Sequence, residues 1–319
     1  MTNPNVSIVL CTYNGEKYLP ELLGSLLRQT LLPTELVWRD DRSTDRTAEI
    51  ASAFAEQSPF PVNFAVNPEN LGPIQNFGHA ISQANGTYIA LCDQDDVWLP
   101  EKLEQLVRHF RKPETKLVYS NSYLVDGDLN SSEQTFLEQR GTQHAKKDTL
   151  SYLLFQNTVS GCVSMFTADL LPAVLPIPKV AIMHDWWIAL VAAAEGRIKH
   201  IPEVTVLYRQ HSDNVLGAPA RFTIASYRAS GMPFSLCRKA GKKFAVSANQ
   251  AIALKNRLEK RGVEAPESLT NFVLNLRRSR QDLWRTCKQF DIQRGDWIRN
   301  VYFVAGLLTH RRTDLIDIE

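Results

Sequence analysis

Cysteine is sparse. Cys11, Cys92, Cys162, Cys237 and Cys287 are scattered through 319 residues, odd in number and nowhere spaced as C-x-x-C. That excludes a disulfide scaffold and a cysteine zinc site, and reads as free thiols in a reducing, cytoplasmic compartment. Long apolar runs are also missing. The longest near the end, Val301–Leu308, has eight residues, against the ~20 a membrane-spanning helix needs, which argues against a bilayer-crossing chain. The opening MTNPNVSIVLCTYNG lacks a basic start and runs straight into a strand pattern, so no signal peptide is expected. No internal repeat or low-complexity tract is present. Nor is there an excess of one charge: 36 Lys+Arg against 34 Asp+Glu leave +2, and no nucleic-acid partner is expected.

What is present is core-forming material, at 44% apolar and 9% aromatic, which excludes a disordered chain. The charge is divided unevenly: residues 1–219 carry 17 basic and 25 acidic side chains, residues 220–319 carry 19 and 9. The two parts are expected to do different jobs. Residues 5–11 are apolar and β-branched, a buried strand broken by Asn14-Gly15. Leu19, Leu22, Leu23, Leu26 and Leu27 recur with helical spacing. Further strands are expected at 35–39, 62–66 and 88–92, with helices at about 45–57 (capped by Ser43 or Thr44), 74–84 and 99–111. This alternation predicts right-handed βαβ crossovers, hence an α/β fold with a parallel sheet covered on both faces. From 113 to 219 the pattern is irregular: strands at 117–120, 163–166 and 204–208, a helix at 185–194, and a polar loop at 126–147. Beyond 220 the chain reads as helical and basic.

In parallel sheets ligands bind at the carboxyl ends of the strands, and four polar clusters fall there: Thr12-Tyr13-Asn14, Asp40-Asp41, Asn67–Gly72 (with Asn70), and Asp93-Gln94-Asp95-Asp96. Three carboxylates in four residues invite a hard cation such as Mg²⁺ or Mn²⁺ to share them; an acidic surface turn is the plainer reading. Asp41 at the sheet mouth could accept a hydrogen bond from a pyrimidine N–H, or Asp40 or Asp41 could cap the next helix. In Met183-His184-Asp185-Trp186-Trp187 an acid sits between a histidine and two tryptophans. The rings offer apolar surface for a sugar, and a carboxylate beside them can act as a general base; a capping Asp with two core tryptophans is the alternative. Tyr208-Arg209-Gln210-His211-Ser212-Asp213-Asn214 offers a cation, an imidazole and an amide suited to a diphosphate and its metal. Gly161, with Asn157 nearby, could let backbone approach a ligand closely.

These residues carry a resemblance. Val6–Asn14, Asp40-Asp41-x-Ser43-Thr44-Asp45, Asn70-Leu71-Gly72, Gly86–Ala90, Asp93-Gln94-Asp95-Asp96 and His184-Asp185-Trp186, in this order and spacing, resemble the family 2 glycosyltransferases over about 1–215. The Asp93–Trp98 and Tyr208–His211 variants look most like bacterial rhamnosyltransferases of O-antigen or other surface-polysaccharide assembly. The resemblance implies an A-type glycosyltransferase fold, a Rossmann-like, mostly parallel sheet flanked by helices. It implies a catalytic domain at 1–219, with a nucleotide-binding half (1–112) and an acceptor-binding half (113–219); the basic helical extension at 220–319 is a departure that the core family does not fix. It implies that Thr12, Tyr13, Asn14, Asp41, Asn70, Gly72, Asp93, Gln94, Arg209 and Asn214 hold a nucleoside-diphosphate sugar. Asp95 and His211 would bind Mg²⁺ or Mn²⁺, Asp185 would be the catalytic base, and Gly161, His184, Trp186 and Trp187 would face a glycan or lipid-linked oligosaccharide acceptor. Arg42 departs from the pattern, standing where many members carry glycine.

The implied reaction is inverting transfer of a hexose to a hydroxyl. Two rivals are a nucleotidyltransferase, for which the loop at 12–17 holds only one glycine and one lysine, and a non-catalytic sugar-nucleotide or glycan binder. The basic extension, with Trp297, Tyr302 and Phe303, would lie on the inner face of an anionic cytoplasmic membrane or pack against the catalytic domain or a second copy.

Overall fold

The computed structural model describes residues 4–141, 149–211, 233–292 and 297–316. Strand β1 (Val6–Thr12) is buried throughout, as a continuous apolar run covered on both faces requires. Helix α1 (Leu19–Leu27) turns Leu19, Leu22, Leu23 and Leu26 inward, while Leu27 is exposed. Then come β2 (Glu35–Asp40), α2 (Thr47–Gln57), β3 (Val62–Val66), α3 (Gly72–Ile81) and β4 (Tyr88–Asp93). The order β3-β2-β1-β4 is parallel throughout, as the spacing predicts. Its register pairs Thr12 with Asp40, Asp40 with Val66 and Cys11 with Asp93, so the polar strand ends line up on one edge. Helix α2 starts later than expected. Asp45, not Ser43 or Thr44, accepts the Thr47 N–H at 3.0 Å.

Beyond β4 the expectations need correction. Strand β5 (Val97–Trp98) is drawn into the sheet by β9, with Leu99 N–H donating to Thr205 at 2.9 Å, so helix α4 (Lys102–Val107) is shorter than the expected 99–111. Strand β6 (Thr115–Val125) is long, and the expected loop at 126–147 holds β7 (Ser131–Thr135) and helix α5 (Phe136–Arg140). A capping box, Thr135 with Glu138, opens α5, and Gly141 at φ 58° ends it. Helix α6 (Thr149–Leu153), β8 (Ser164–Thr167), α7 (Leu171–Val174), α8 (His184–Glu195) and β9 (Arg197–Arg209) follow. The sheet runs β3-β2-β1-β4-β8-β6-β9-β5, with β7 on β6. Strand β8 is antiparallel to both neighbours, so the sheet is mixed, not mostly parallel.

Four further helices, α9 (Pro233–Lys260), α10 (Glu267–Leu276), α11 (Arg280–Gln289) and α12 (Trp297–Thr309), bear out a helical extension. The expected boundary at 219/220 lies outside the described residues. The helices share the main core: Phe155 stacks on Phe244 at 5.0 Å and meets Phe272 and Phe303 edge-on at 5.4 and 4.7 Å. Helices α9 and α12 touch where a Cβ on Gly306 would lie 2.8 Å from the Ala240 carbonyl. Of the two settings expected for Phe303, a membrane surface or packing against the catalytic domain, the structure shows the second: it is buried in this cluster; the side chains of Trp297 and Tyr302 lie outside the described residues. Among the described residues no helix is long and apolar enough to cross a membrane.

Candidate active site

A cavity of about 800 Å³ opens at the carboxyl ends of β1–β4. One wall holds Thr12, Tyr13, Asp41, Asn70, Gly72, Asp93, Gln94 and Asp95. The facing wall holds Phe136, Arg140, Gln156, Asn157, Ser160 and Ile182–Trp186.

The first wall is laced in place. Gln94 brackets Tyr13, accepting its N–H at 2.8 Å and donating to its carbonyl at 3.1 Å. The Asp41 carboxylate accepts the Leu71 and Gly72 N–H groups, both at 2.8 Å, and the Asn67 amide at 3.0 Å. Much of its hydrogen-bonding capacity thus fixes the 67–72 loop. Asn70 returns a bond to the Asp41 carbonyl at 3.1 Å. Gly72 sits at φ 73°, a left-handed turn that glycine takes without Cβ strain. Thr12 donates to Asp40 at 2.7 Å and is itself buried. Arg42 also adopts a left-handed φ of 67°, which accounts for glycine being common there in the resembling family; its side chain is exposed and does not line the cavity.

The acidic turn splits three ways. Asp95 faces the cavity, its Oδ2 2.9 Å from Nε2 of His211. A carboxylate beside an imidazole at the strand ends is a donor set that suits a divalent cation. Asp93 also lines the cavity. Burial, then the like charges of Asp95 and Asp185, push its carboxyl up to about 7, a cost that a bound cation would relieve. Asp96 is turned inward and fully buried, accepting the Arg209 N–H at 3.2 Å. Asp93, Asp96 and Cys162 lie close enough to hold an ion. However, Cys162 is wholly buried and its thiol is held well above the ordinary range by that burial. The buried Lys102 ammonium already donates to the Cys162 carbonyl beside them. The pair Asp95 and His211, partly buried, with Asp95 lining the cavity and His211 beside it, is the better metal candidate.

On the facing wall, Asp185 stands in the first turn of α8. Gly161 N–H donates to its Oδ2 at 3.0 Å and the Asn157 amide to its Oδ1 at 3.3 Å. Burial raises its carboxyl to about 6 against these lowering bonds and the charge of Arg140. Such a group is ionised at neutral pH and still basic enough to take a proton. Trp186 lines the cavity and is anchored by Nε1 donating to the Leu153 carbonyl at 2.6 Å.

Several expected site residues sit elsewhere. Trp187 is fully buried core, its Nε1 bound to the Val174 carbonyl at 2.9 Å. Successive helix positions point about 100° apart, so only one of the two tryptophans can face the cavity. Arg209 does not line the cavity. Its guanidinium is spent on the Asp95 carbonyl (2.8 Å), the Gly127 carbonyl and Glu21, stacked over Tyr18 at 4.4 Å, and so it props the acidic turn from beneath. Asn14, at φ 49°, ties its loop to the next by accepting the Thr44 N–H at 2.9 Å. Gly161 holds Asp185 without lining the cavity, and its missing Cβ leaves room for His184, whose Nε2 lies 3.2 Å from that point. His184 stacks on Phe77 at 3.8 Å with both nitrogens sealed from solvent. Burial lowers it to about 3, so the ring is neutral at physiological pH, and among the described residues neither nitrogen has a hydrogen-bond partner. Asn214 lies outside the described residues. The sequence reading missed Phe136 and Arg140, for which the Thr135-x-x-Glu138…Gly141 pattern was an available signal. It also missed Gln156, Ser160 and Ile182, for which no local signal exists.

A family model described as "Glycosyl transferase family 2" matches residues 7–169. An uncharacterized protein of Mycobacterium tuberculosis is 30% identical over 215 residues, 66% of this chain and 60% of that protein; the chain thus spans about three fifths of the length of this relative. A dTDP-rhamnosyl transferase of Shigella flexneri is 26% identical over 242 residues, 70% of this chain and 78% of its own. TarS of S. aureus has a similar fold, with a TM-score of 0.58 at 19% identity over 90% of this chain and 72% of that one. A second TarS structure, in complex with UDP-GlcNAc, gives 0.53 at 18% over 90% and 80%. The family match spans half of this chain and contains the laced wall and the acidic turn, and the fold agrees with it: the chain belongs to glycosyl transferase family 2.

Proposed function

We propose that the chain is an inverting, metal-dependent glycosyltransferase. It moves a hexose from a nucleoside-diphosphate sugar to a hydroxyl of a surface-polysaccharide or O-antigen acceptor. The observation that carries this reading is the pairing, across one cavity, of strand-end carboxylates with a single held carboxylate, Asp185, raised to about 6. Tyr13, half exposed, offers a ring to the nucleotide, and Asn70 and the Gly72 backbone shape the loop against it. Asp95 and His211 would hold Mg²⁺ or Mn²⁺, which when bound neutralises charge on the departing diphosphate. Asp185, oriented by Gly161 and Asn157, takes the acceptor hydroxyl proton as that oxygen attacks the anomeric carbon. One base serves a single displacement, which inverts. Trp186 gives the acceptor sugar a flat apolar face.

L-rhamnose from dTDP-L-rhamnose is the sugar favoured by the Shigella flexneri relative. The basic 220–319 segment and the exposed Val301 and Leu308 support peripheral contact with the inner face of the cytoplasmic membrane, where lipid-linked acceptors are held. Family membership weighs against a nucleotidyltransferase, and a costly buried base weighs against a protein that only binds.

Incubation with dTDP-L-rhamnose, UDP-GlcNAc and GDP-mannose in Mn²⁺ tests the reading. Release of nucleoside diphosphate from one donor, stopped by EDTA, with an inverted anomeric carbon by NMR, is the expected result. Release of pyrophosphate, retention of configuration, or donor binding without any turnover would overturn it.

A further inference from the structure

The wall that carries Asp185 is gripped from outside the sheet. Gln250 and Arg257 of α9 lie on one stripe of that helix, seven positions apart, and Arg261 follows four positions on, just past its end. The Arg257 guanidinium donates to the carbonyls of Ala173, Leu175 and Pro176 at 2.8, 2.8 and 2.7 Å. Arg261 pairs with Glu195 at the far end of α8. Gln250, fully buried, accepts the Ile182 N–H on Oε1 at 2.9 Å. Ile182 lines the cavity two residues before His184, and Met183, between them, caps α8, its carbonyl accepting the Trp187 N–H at 3.0 Å.

The chemistry of Gln250 argues that this bond is its purpose. Among the described residues its Nε2 has no hydrogen-bond partner, although it is out of reach of solvent. A buried amide with one half unpaired is a costly way to fill a core position that methionine or leucine would fill without that cost. What the amide supplies and an apolar side chain cannot is one acceptor for one backbone N–H. That N–H belongs to the residue just before Met183, the extended cap at which α8 begins, three positions ahead of Asp185.

We propose that Gln250 is a positioning residue for the transfer step. Through Ile182 it fixes the acceptor-side wall and the first turn of α8, which makes α9 part of the catalytic unit and not a separable appendage. This rests on the reading of Asp185 as the base.

The test compares Gln250→Met, close in shape but without the acceptor, with Gln250→Glu, which keeps an oxygen on the same stem, both in the full chain. Hydrogen exchange needs no substrate. In Gln250→Met the amides of 182–187 should exchange roughly tenfold faster, as loss of one buried hydrogen bond implies, while those of β1 do not change. Turnover of whichever donor the wild type accepts should fall roughly 10–100-fold in kcat, the scale of a misplaced catalytic group. Donor KM should stay within about twofold and the melting temperature within a few degrees. Gln250→Glu should restore both readouts. Unchanged exchange at 182–187, unchanged turnover in Gln250→Met, or equal loss in Gln250→Glu overturns the proposal. If the wild type turns over no donor, the glycosyl-transfer reading fails separately, and the exchange result alone decides whether Gln250 holds the wall.

Discussion

The two walls of the cavity are built by different means. The strand-end wall, which we propose holds the donor, is local: four consecutive strand ends, each followed by a short polar loop, brought level by parallel pairing. The facing wall, which we propose takes the acceptor, is assembled from α5, the 156–161 turn and the start of α8, and α9 reaches it from more than sixty residues away. Repetition of one simple unit fixes the first wall, whereas the second exists only after distant segments have met.

The largest expected effect lies on the acceptor side. Asp185→Asn should lower kcat by roughly 10²–10⁴-fold, the usual worth of a general base, with nucleoside-diphosphate binding, assigned by our proposal to the strand-end wall, unchanged by calorimetry. Because Asp185, as the proposed base, would have to be ionised to act and its carboxyl is raised to about 6, wild-type kcat/KM should be flat above that pH and fall about tenfold per unit below it. The raised value also means that the ionised carboxylate opposes folding. The substitution should therefore melt no lower than wild type at pH 7, with any advantage closing as pH falls toward 4. Loss of donor binding in this variant would erase the distinction between the walls.

Next in size is the contrast between adjacent tryptophans. Trp187→Ala should cost about 3–5 kcal/mol of stability, the usual price of deleting a buried aromatic. Trp186→Ala should cost less and raise acceptor KM. Chemical denaturation and acceptor titration separate the two, and equal stability losses would place both rings in the core. The smallest effect lies on the donor side. Gly72→Ala meets no atom within 4 Å of its new Cβ but must hold φ 73°. It should lose about 1–2 kcal/mol in urea unfolding through backbone strain alone.

Much of the donor side is legible in the sequence, because helical and strand periodicity marks the elements and polar residues mark where strands stop. Even there, direction is not legible. Asp93, Asp95 and Asp96 are neighbours of one type, yet one is turned into the core because Arg209, 113 residues later, needs its oxygen. The same arginine reads as a diphosphate ligand until Glu21, Gly127 and the Asp95 carbonyl are seen to occupy it. The helix of Phe136 and Arg140 hides in a polar stretch whose capping residues outweigh its weak periodicity.

The amino-acid order alone set the βαβ series, the edge where the polar clusters gather, and Asp185 as the candidate base, because each is written in spacing over a few turns or in residue type. Tertiary structure alone decided that β8 would run antiparallel, which tryptophan would face the cavity, that Arg209 would be a prop, and that Gln250 would reach Ile182. Those outcomes depend on which buried donors and acceptors find one another across the chain, and such pairings leave no periodic trace in the sequence.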